Sequence, residues 1–340
     1  MAKWLSTSRA ATVSGGNTGE ELKKKCPEIP RLSSYSENPD AAFWAMFPFF
    51  APKPEVQSRV DVNELEKLVS ECWHDWPARK RKIARRTIKI LKEGALTKLQ
   101  IPLPAMQCAN AKSALQHGEM LTDTVAHWVK EKMVAGPFKR PPLEDFRVNA
   151  MMAVAQKNKI RPVMNLSTPA GASFNEAIRP ETVRKLEMSS AKLFGQGIVR
   201  AGRSAKIAKY DIRDAYKLIA GHPAQWRYFG FKWLGRYFYD VTTVFGSGSA
   251  PANFDGLPET LANIVCTKEK IPESGLFRQL DDVPFVSAGD SGNTEKFAAA
   301  YTDICRGTKV PLAEMCPKRE KAFETSTTGT VLGVKFDTEK

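Results

Sequence analysis

Residues 207–216 read IAKYDIRDAY, and residues 279–286 read QLDDVPFV. In each, a short apolar run delivers carboxylates. Ile207-Ala208 leads to Asp211 and Asp214, and Leu280 and Val283 bracket Asp281-Asp282. Such runs, bounded by polar residues, predict strands. Adjacent carboxylates repel and are expensive beside a core. They persist only where they reach water or where a cation neutralises them. Taken alone, the Asp281-Asp282 pair reads more simply as an exposed β-turn with both acids at its tip. Taken together, a strand-end aspartate and an Asp-Asp tip later in the chain suit hard divalent ions. Mg²⁺ prefers oxygen ligands and takes few protein carboxylates beside substrate phosphates. Two such ions stabilise the attacking and leaving oxygens of a phosphoryl transfer.

Between the two stretches lies Phe245-Gly246-Ser247-Gly248-Ser249-Ala250-Pro251-Ala252-Asn253-Phe254. Small residues let a backbone approach a ligand, and a following helix offers free N–H groups; a Gly/Ser-rich loop by itself is usually only a loop. Upstream, VNAMMAV (148–154) and IRPVMNL (160–166) predict a hairpin carrying Lys157, Lys159 and Arg161. These cations would grip a triphosphate, and an ordinary basic hairpin is an equal reading. Further strands are expected at 207–212, 228–231 and 237–241, with Leu234-Gly235 at a turn, and helices at about 252–266 and 293–306. The texture is α+β, not an alternating parallel-sheet pattern.

The 340 residues carry 51 basic and 37 acidic side chains, a formal charge of +14. That excess points to a polyanionic partner, nucleic acid or an anionic membrane surface. The longest apolar stretch, AAFWAMFPFFAP (41–52), is too short to cross a membrane and contains two prolines. The N-terminus has no apolar signal core, so an intracellular protein of nucleus or cytoplasm, not a secreted one, is expected. The six cysteines form no C-x-x-C pair, which favours reduced thiols over zinc.

The chain divides into an arm with an aromatic cluster (1–59), flexible over its first 40 residues, and a basic helical region (60–114). The cluster is expected to dock on the body. The stretch RKRKIARRTIKILK (79–92) holds eight basic residues and no acid, with Ile83, Thr87, Ile90 and Leu91 on one helix face. It reads as a solvated basic helix, a phosphate-backbone contact or a nuclear-import signal. A second amphipathic helix is predicted from Gly118 to Val134, ended by Gly136-Pro137.

The order of these pieces carries a resemblance. KNKIRPVMNLSTPAGASFNEAI (157–178), AKYDIRDAYKLI (208–219), VFGSGSAPANF (244–254), QLDDVPFV (279–286) and TGTVLGVKFD (328–337) resemble, in order, the fingers and palm motifs of reverse transcriptases. The match spans roughly residues 120–337. GPFKRPPLEDFRVN (136–149), QLDDVP and VLGVKFDT look most like the tyrosine-recombinase (DIRS-type) retrotransposon branch. The resemblance implies a right-hand polymerase: fingers over 115–205, and a palm with an antiparallel sheet over 206–340. Asp211 should lie at a strand end, and Asp281-Asp282 in a hairpin turn beside it.

By the same resemblance, Asp211, Asp281 and Asp282 would be the catalytic aspartates holding two Mg²⁺ ions, with Mn²⁺ as a substitute. Lys157 or Lys159, Arg161, Asp214, Ala215, Tyr216, Phe245 and Gly246 would contact the dNTP, Tyr216 as the gate against a ribose 2′-OH. Pro251 and Phe254 would face the template, and Gln279, Leu332 and Gly333 the primer. Lys318 or Lys321 would protonate pyrophosphate. The expected partners are an RNA or DNA template with primer, and dNTPs. Gln279 departs from the pattern, because most relatives carry Tyr or Phe there. The resemblance also ends before any thumb, RNase H or recombinase segment. Such segments would then lie elsewhere in a polyprotein, and the alternative reading is an inactive nucleic-acid-binding remnant.

Overall fold

The structure, a computed structural model, describes residues 39–156 and 159–340. The arm expected over the first 38 residues, Lys157 and the Lys159 side chain lie outside the described residues. In chain order the helices are α1 (Ala41–Met46), α2 (Val62–Cys72), α3 (Ala78–Glu93), α4 (Lys112–Gln116), α5 (Gly118–Lys130), α6 (Phe174–Ala177), α7 (Ala191–Ala201), α8 (Ala250–Phe254), α9 (Gly256–Lys268) and α10 (Asn293–Gly307). The strands are β1 (Met106–Gln107), β2 (Val134–Phe138), β3 (Arg147–Gln156), β4 (Lys159–Asn165), β5 (Lys206–Asp211), β6 (Gly230–Trp233), β7 (Arg236–Asp240), β8 (Asp282–Ser287), β9 (Phe323–Ser326), β10 (Thr328–Val331) and β11 (Val334–Asp337).

Two sheets organise the molecule. The smaller one runs β8–β5–β9, antiparallel throughout. Its central strand, KIAKYD, sends alternate side chains to opposite faces. Ala208 and Tyr210 enter one core with α9 and α10, where Phe297 stacks on Phe285 at 4.4 Å. Ile207 enters a second cluster with Phe194, Val286 and Phe323. Lys209 and Asp211 share the Ile207 face, and Asp211 stands where the strand ends. Helix α9 is buried along nearly its whole length, its polar Glu259, Thr260 and Asn263 included. It separates the small sheet from α2 and α3.

The larger sheet is mixed. Its order is β1-β3-β6-β7-β2, with β4 paired to β3. β3 runs parallel to β1 and β6 and antiparallel to β4. β6 and β7 therefore join the strands of 106–165, so the expected boundary at 205/206 does not separate the two sheets. The reason is local. Leu234 (φ +47°) and Gly235 (φ +75°) close a tight two-residue turn, and the aromatic run it reverses is buried against the α5 core.

One further expectation is corrected. The helix read from 118 to 134 stops at Lys130, because Lys132 turns left-handed (φ +57°); Val134–Phe138 is a strand pairing with β7. The aromatic cluster expected to dock packs on the body from Asp40 onward. Asp40 caps α1 through Phe43 N–H at 2.9 Å, and Phe43 and Phe47 are buried in the α5 core. Among the described residues, no helix is long and apolar enough to cross a membrane.

Candidate active site

The site is built where β5 ends. Asp211 lies directly opposite Asp282 in the β5–β8 register, on a common face of the sheet. Gln279 and Asp282 exchange both backbone hydrogen bonds, at 2.9 and 3.1 Å. The hairpin tip is thus Leu280, left-handed at φ +56°, and Asp281. This corrects the expectation of two aspartates at the tip, since Asp282 is the first residue of β8. The Ile212 N–H donates to the Asp281 carbonyl at 3.0 Å, and the Ala313 N–H to the Asp211 carbonyl at 2.8 Å. The tip is thereby fastened to the strand end, which brings two acids distant in sequence within electrostatic reach of each other.

Electrostatics register that closeness. Burial, then the charges of Asp211 and Asp282, push the Asp281 carboxyl up to about 6. Asp211 is raised by burial and by Asp282, and opposed by Lys209, Lys321 and Arg161. Asp282 is the best compensated of the three, with Lys209 Nζ at 3.1 Å from its carboxylate. Among the described residues, no group of three or more His, Cys, Asp or Glu side chains is set to hold a metal ion. Asp211 and Asp281 are the carboxylates that could hold one, Asp282 being tied to Lys209. Two half-buried, mutually repelling hard oxygen donors fit a divalent cation that completes its shell with phosphate and water.

Arg161, on β4, is exposed, and its charge acts on Asp211, Asp281 and Tyr216. Asp214 is left-handed (φ +54°) and opens a tight turn of 3₁₀ helix over Ala215–Leu218. That turn presents Tyr216, half-buried, with its ring 4.9 Å from Phe245 and 5.9 Å from Phe254. Burial and the nearby Asp281 push the phenol up to about 12, so it stays protonated at neutral pH. Phe254 is wholly buried. It supports Tyr216 from the core and does not face a template, contrary to the sequence expectation. Pro251, one turn earlier, is half-buried.

The loop before α8 is held against β4. Gly246 has φ +110°, and a Cβ there would stand 2.2 Å from the Met164 carbonyl oxygen. Asn175 fastens the loop from α6: its Nδ2 donates to the Gly246 carbonyl, and its Oδ1 accepts from Gly248 N–H, each at 2.8 Å. Asn175 was not legible as a site residue, because a lone Asn in a short helix carries no signal. Its neighbours Ser173 and Glu176 form a capping box that fixes the start of α6.

On the primer-expected side, Gln279 is exposed. Leu332 (φ +50°) and Gly333 (φ +79°) form the β10–β11 turn. Leu332 rests on the cluster containing Phe277, two residues before Gln279. Of the two candidate lysines, Lys321 is the one whose charge reaches Asp211.

Behind the hairpin is a charge network that the sequence did not announce. Arg278 reaches Asp255 at 2.8 Å and Glu259 at 2.9 Å. Arg184 pairs with the same two acids, and Arg79 meets Glu259 at 3.2 Å. Asp255 and Glu259 are buried, so removing a cation would strand charge in the interior.

No protein-family model and no curated protein matches the chain. Among solved structures, it is similar to prototype foamy virus protease–reverse transcriptase, with a TM-score of 0.51 and 14% identity over 81% of this chain and 35% of that one. The foamy viral enzyme in complex with dsDNA aligns with a TM-score of 0.48 and 13% identity over 84% of this chain and 56% of that one. The chain thus spans about a third of the length of the first of these. The fold is reverse-transcriptase-like.

Proposed function

We propose that this chain is the polymerase part of an RNA-directed DNA polymerase of a retroelement, of the tyrosine-recombinase branch. In this reading the β8–β5–β9 sheet is the palm, and the β3–β4 hairpin belongs to the fingers. The observation that carries it is the Asp211–Asp281 pair, joined at a strand end, raised in pKa by burial first and then by neighbouring carboxylates, and faced by Arg161.

The primer 3′-OH attacks the α-phosphorus of a dNTP, and pyrophosphate leaves. Asp211 and Asp281 would hold two Mg²⁺ or Mn²⁺ ions, which supply charge neutralisation at the reacting oxygens when bound. The remaining work is positioning. Arg161 grips the triphosphate from one side and the turn at Asp214-Ala215 from the other, and Lys157 or Lys159 would add a phosphate contact. Tyr216, backed by Phe245, closes the space a ribose 2′-OH would need, and Gly246 brings backbone to the nucleotide. In this reading Gln279, Leu332 and Gly333 would border the primer, Pro251 would face the template side, and Lys321 would protonate pyrophosphate. RNase H and recombinase segments would act in cis from a longer polyprotein.

The test is extension of a DNA primer annealed to an RNA template. Extension that needs dNTPs and a divalent cation is expected. Tight, salt-sensitive duplex binding with no extension would replace this reading with that of a binding remnant.

A further inference from the structure

Helix α3 lies outside the stretch that carries the sequence resemblance, yet it is built into the body. Its apolar face, including Ile83, Ala84, Thr87 and Leu91, is buried. Thr87 sits so close to α9 that a Cβ on Gly256 would stand 2.3 Å from its hydroxyl. The basic run is therefore a rigid helix, with its remaining cations on fixed outer faces. Arg85 lies 4.5 Å over the Trp73 ring, which holds its guanidinium extended.

One of those outer faces is the wall of a groove. Arg79, Lys82 and Arg86 face Arg184 and Lys185 across it. The groove continues past Lys89 and Lys98 to Ser249 and Asn253, at the start of α8. Seven cations line these two stretches with Glu93, Glu181 and Glu187; Arg79 and Arg184 also pair with the buried Asp255 and Glu259, which leaves Lys82, Arg86, Lys98 and Lys185 without an ion pair to a described residue. Glu187 is already paired with Arg79, and Glu93 with Lys89. Arg86 is half-buried, makes no ion pair with a described residue and faces the like charge of Arg184. Together, burial and that repulsion lower its pKa. A desolvated, unpaired guanidinium opposite another is a place that an anion would relieve. The far end of the groove leads to α8, whose Phe254 touches Tyr216 at the candidate active site.

We propose that the groove between α3 and residues 181–187 is a track for the sugar-phosphate backbone of the single-stranded template approaching the active site. The partner is a nucleic-acid strand, recognised through its phosphates and without sequence preference. The identity of that strand as template rests on the polymerase reading.

The experiment measures binding of the full chain to labelled primer–template by fluorescence anisotropy. One substrate is blunt; the other carries a 5′ template overhang long enough to run along α3, whose 16 residues span about 24 Å. The variant is Lys82→Glu with Lys89→Glu, both exposed positions, so the fold is retained; Arg86→Gln is measured in parallel. Wild type should bind the overhang substrate more tightly than the blunt one. The double variant should lose that gain, by about tenfold at low salt, with a salt slope shallower by roughly 1–2. Its affinity for the blunt duplex should be unchanged, and Arg86→Gln should show a smaller loss of the same kind. Equal affinity of wild type for both substrates would overturn the proposal. So would a variant loss shared by both, or tighter binding to phosphatidylserine vesicles than to the overhang. Primer extension by wild type is scored separately, so a failed polymerase reading is distinguishable from a failed track.

Discussion

Asp281 carries the tension of the site in one side chain. Its carboxyl is raised to about 6 by burial and by two neighbouring acids. In the unfolded chain it titrates near 3.8. Below that value it is neutral in both states and its burial has no charge penalty. As pH rises through 6, the native state must ionise a half-buried group, and stability falls by about 2–3 kcal/mol. Asp281→Asn should therefore stabilise the fold at pH 8 by about this amount. The gain should vanish near pH 4 and shrink when Mg²⁺ is added, as thermal midpoints across pH would record. A gain that persisted at pH 4 would assign it to packing. Tyr216 makes a second residue-scale prediction. Its ring is wedged between Phe245 and Phe254. Tyr216→Ala should raise acceptance of ribonucleotides over deoxynucleotides by roughly 10–100-fold in relative kcat/KM. An unchanged ratio would remove Tyr216 from the gate.

At the scale of elements, two supports hold the pocket in shape. The loop at 245–249 depends on Gly246, whose φ of +110° and proximity to Met164 leave no room for a side chain. Gly246→Ala should destabilise the fold by roughly 1–3 kcal/mol and raise the KM for dNTP more than it lowers kcat. The hairpin bearing Asp281 depends on Arg278, whose guanidinium neutralises Asp255 and Glu259. Arg278→Met should lower stability by about 3–5 kcal/mol, measured by chemical denaturation; a loss under 1 kcal/mol would mean that Arg184 alone satisfies the two acids. These elements divide by how far they could be read in advance. The strands expected at 148–154, 160–166 and 207–212, and the turn at Leu234-Gly235, were legible because apolar alternation and small or turn-forming residues act locally; the turn at Leu332-Gly333 was implied only by the resemblance. The Arg278–Asp255–Glu259 network was not legible. It joins side chains that the sequence separates, and nothing in an isolated Arg or Asp says that it will be buried. The false helical reading of 131–134 has the same origin. Met133 and Val134 continue the apolar period of α5, but Val134 finds its partner in Asp240 of a distant strand.

At the scale of the whole molecule, the approach of Asp211 to Asp281 depends on long-range packing. The β5–β8 pairing supplies the register, while α9 and α10 brace the sheet from behind. The candidate aspartates could be named from the sequence because their apolar flanks marked strand ends. The role of Phe254 was misread, because the pattern could not tell a template-facing aromatic from one that fills the core. The basic run of α3 could be seen but not interpreted until its packing on α9 fixed which cations stay outside. Asp211 and Asp281 act as one site in the proposed reaction. The most direct measurement is primer extension by wild type, Asp211→Asn and Asp281→Asn, with duplex binding followed in parallel. Both single variants should lose extension by at least about a thousandfold while binding primer–template as wild type does. Extension by either variant at the wild-type rate would contradict the account.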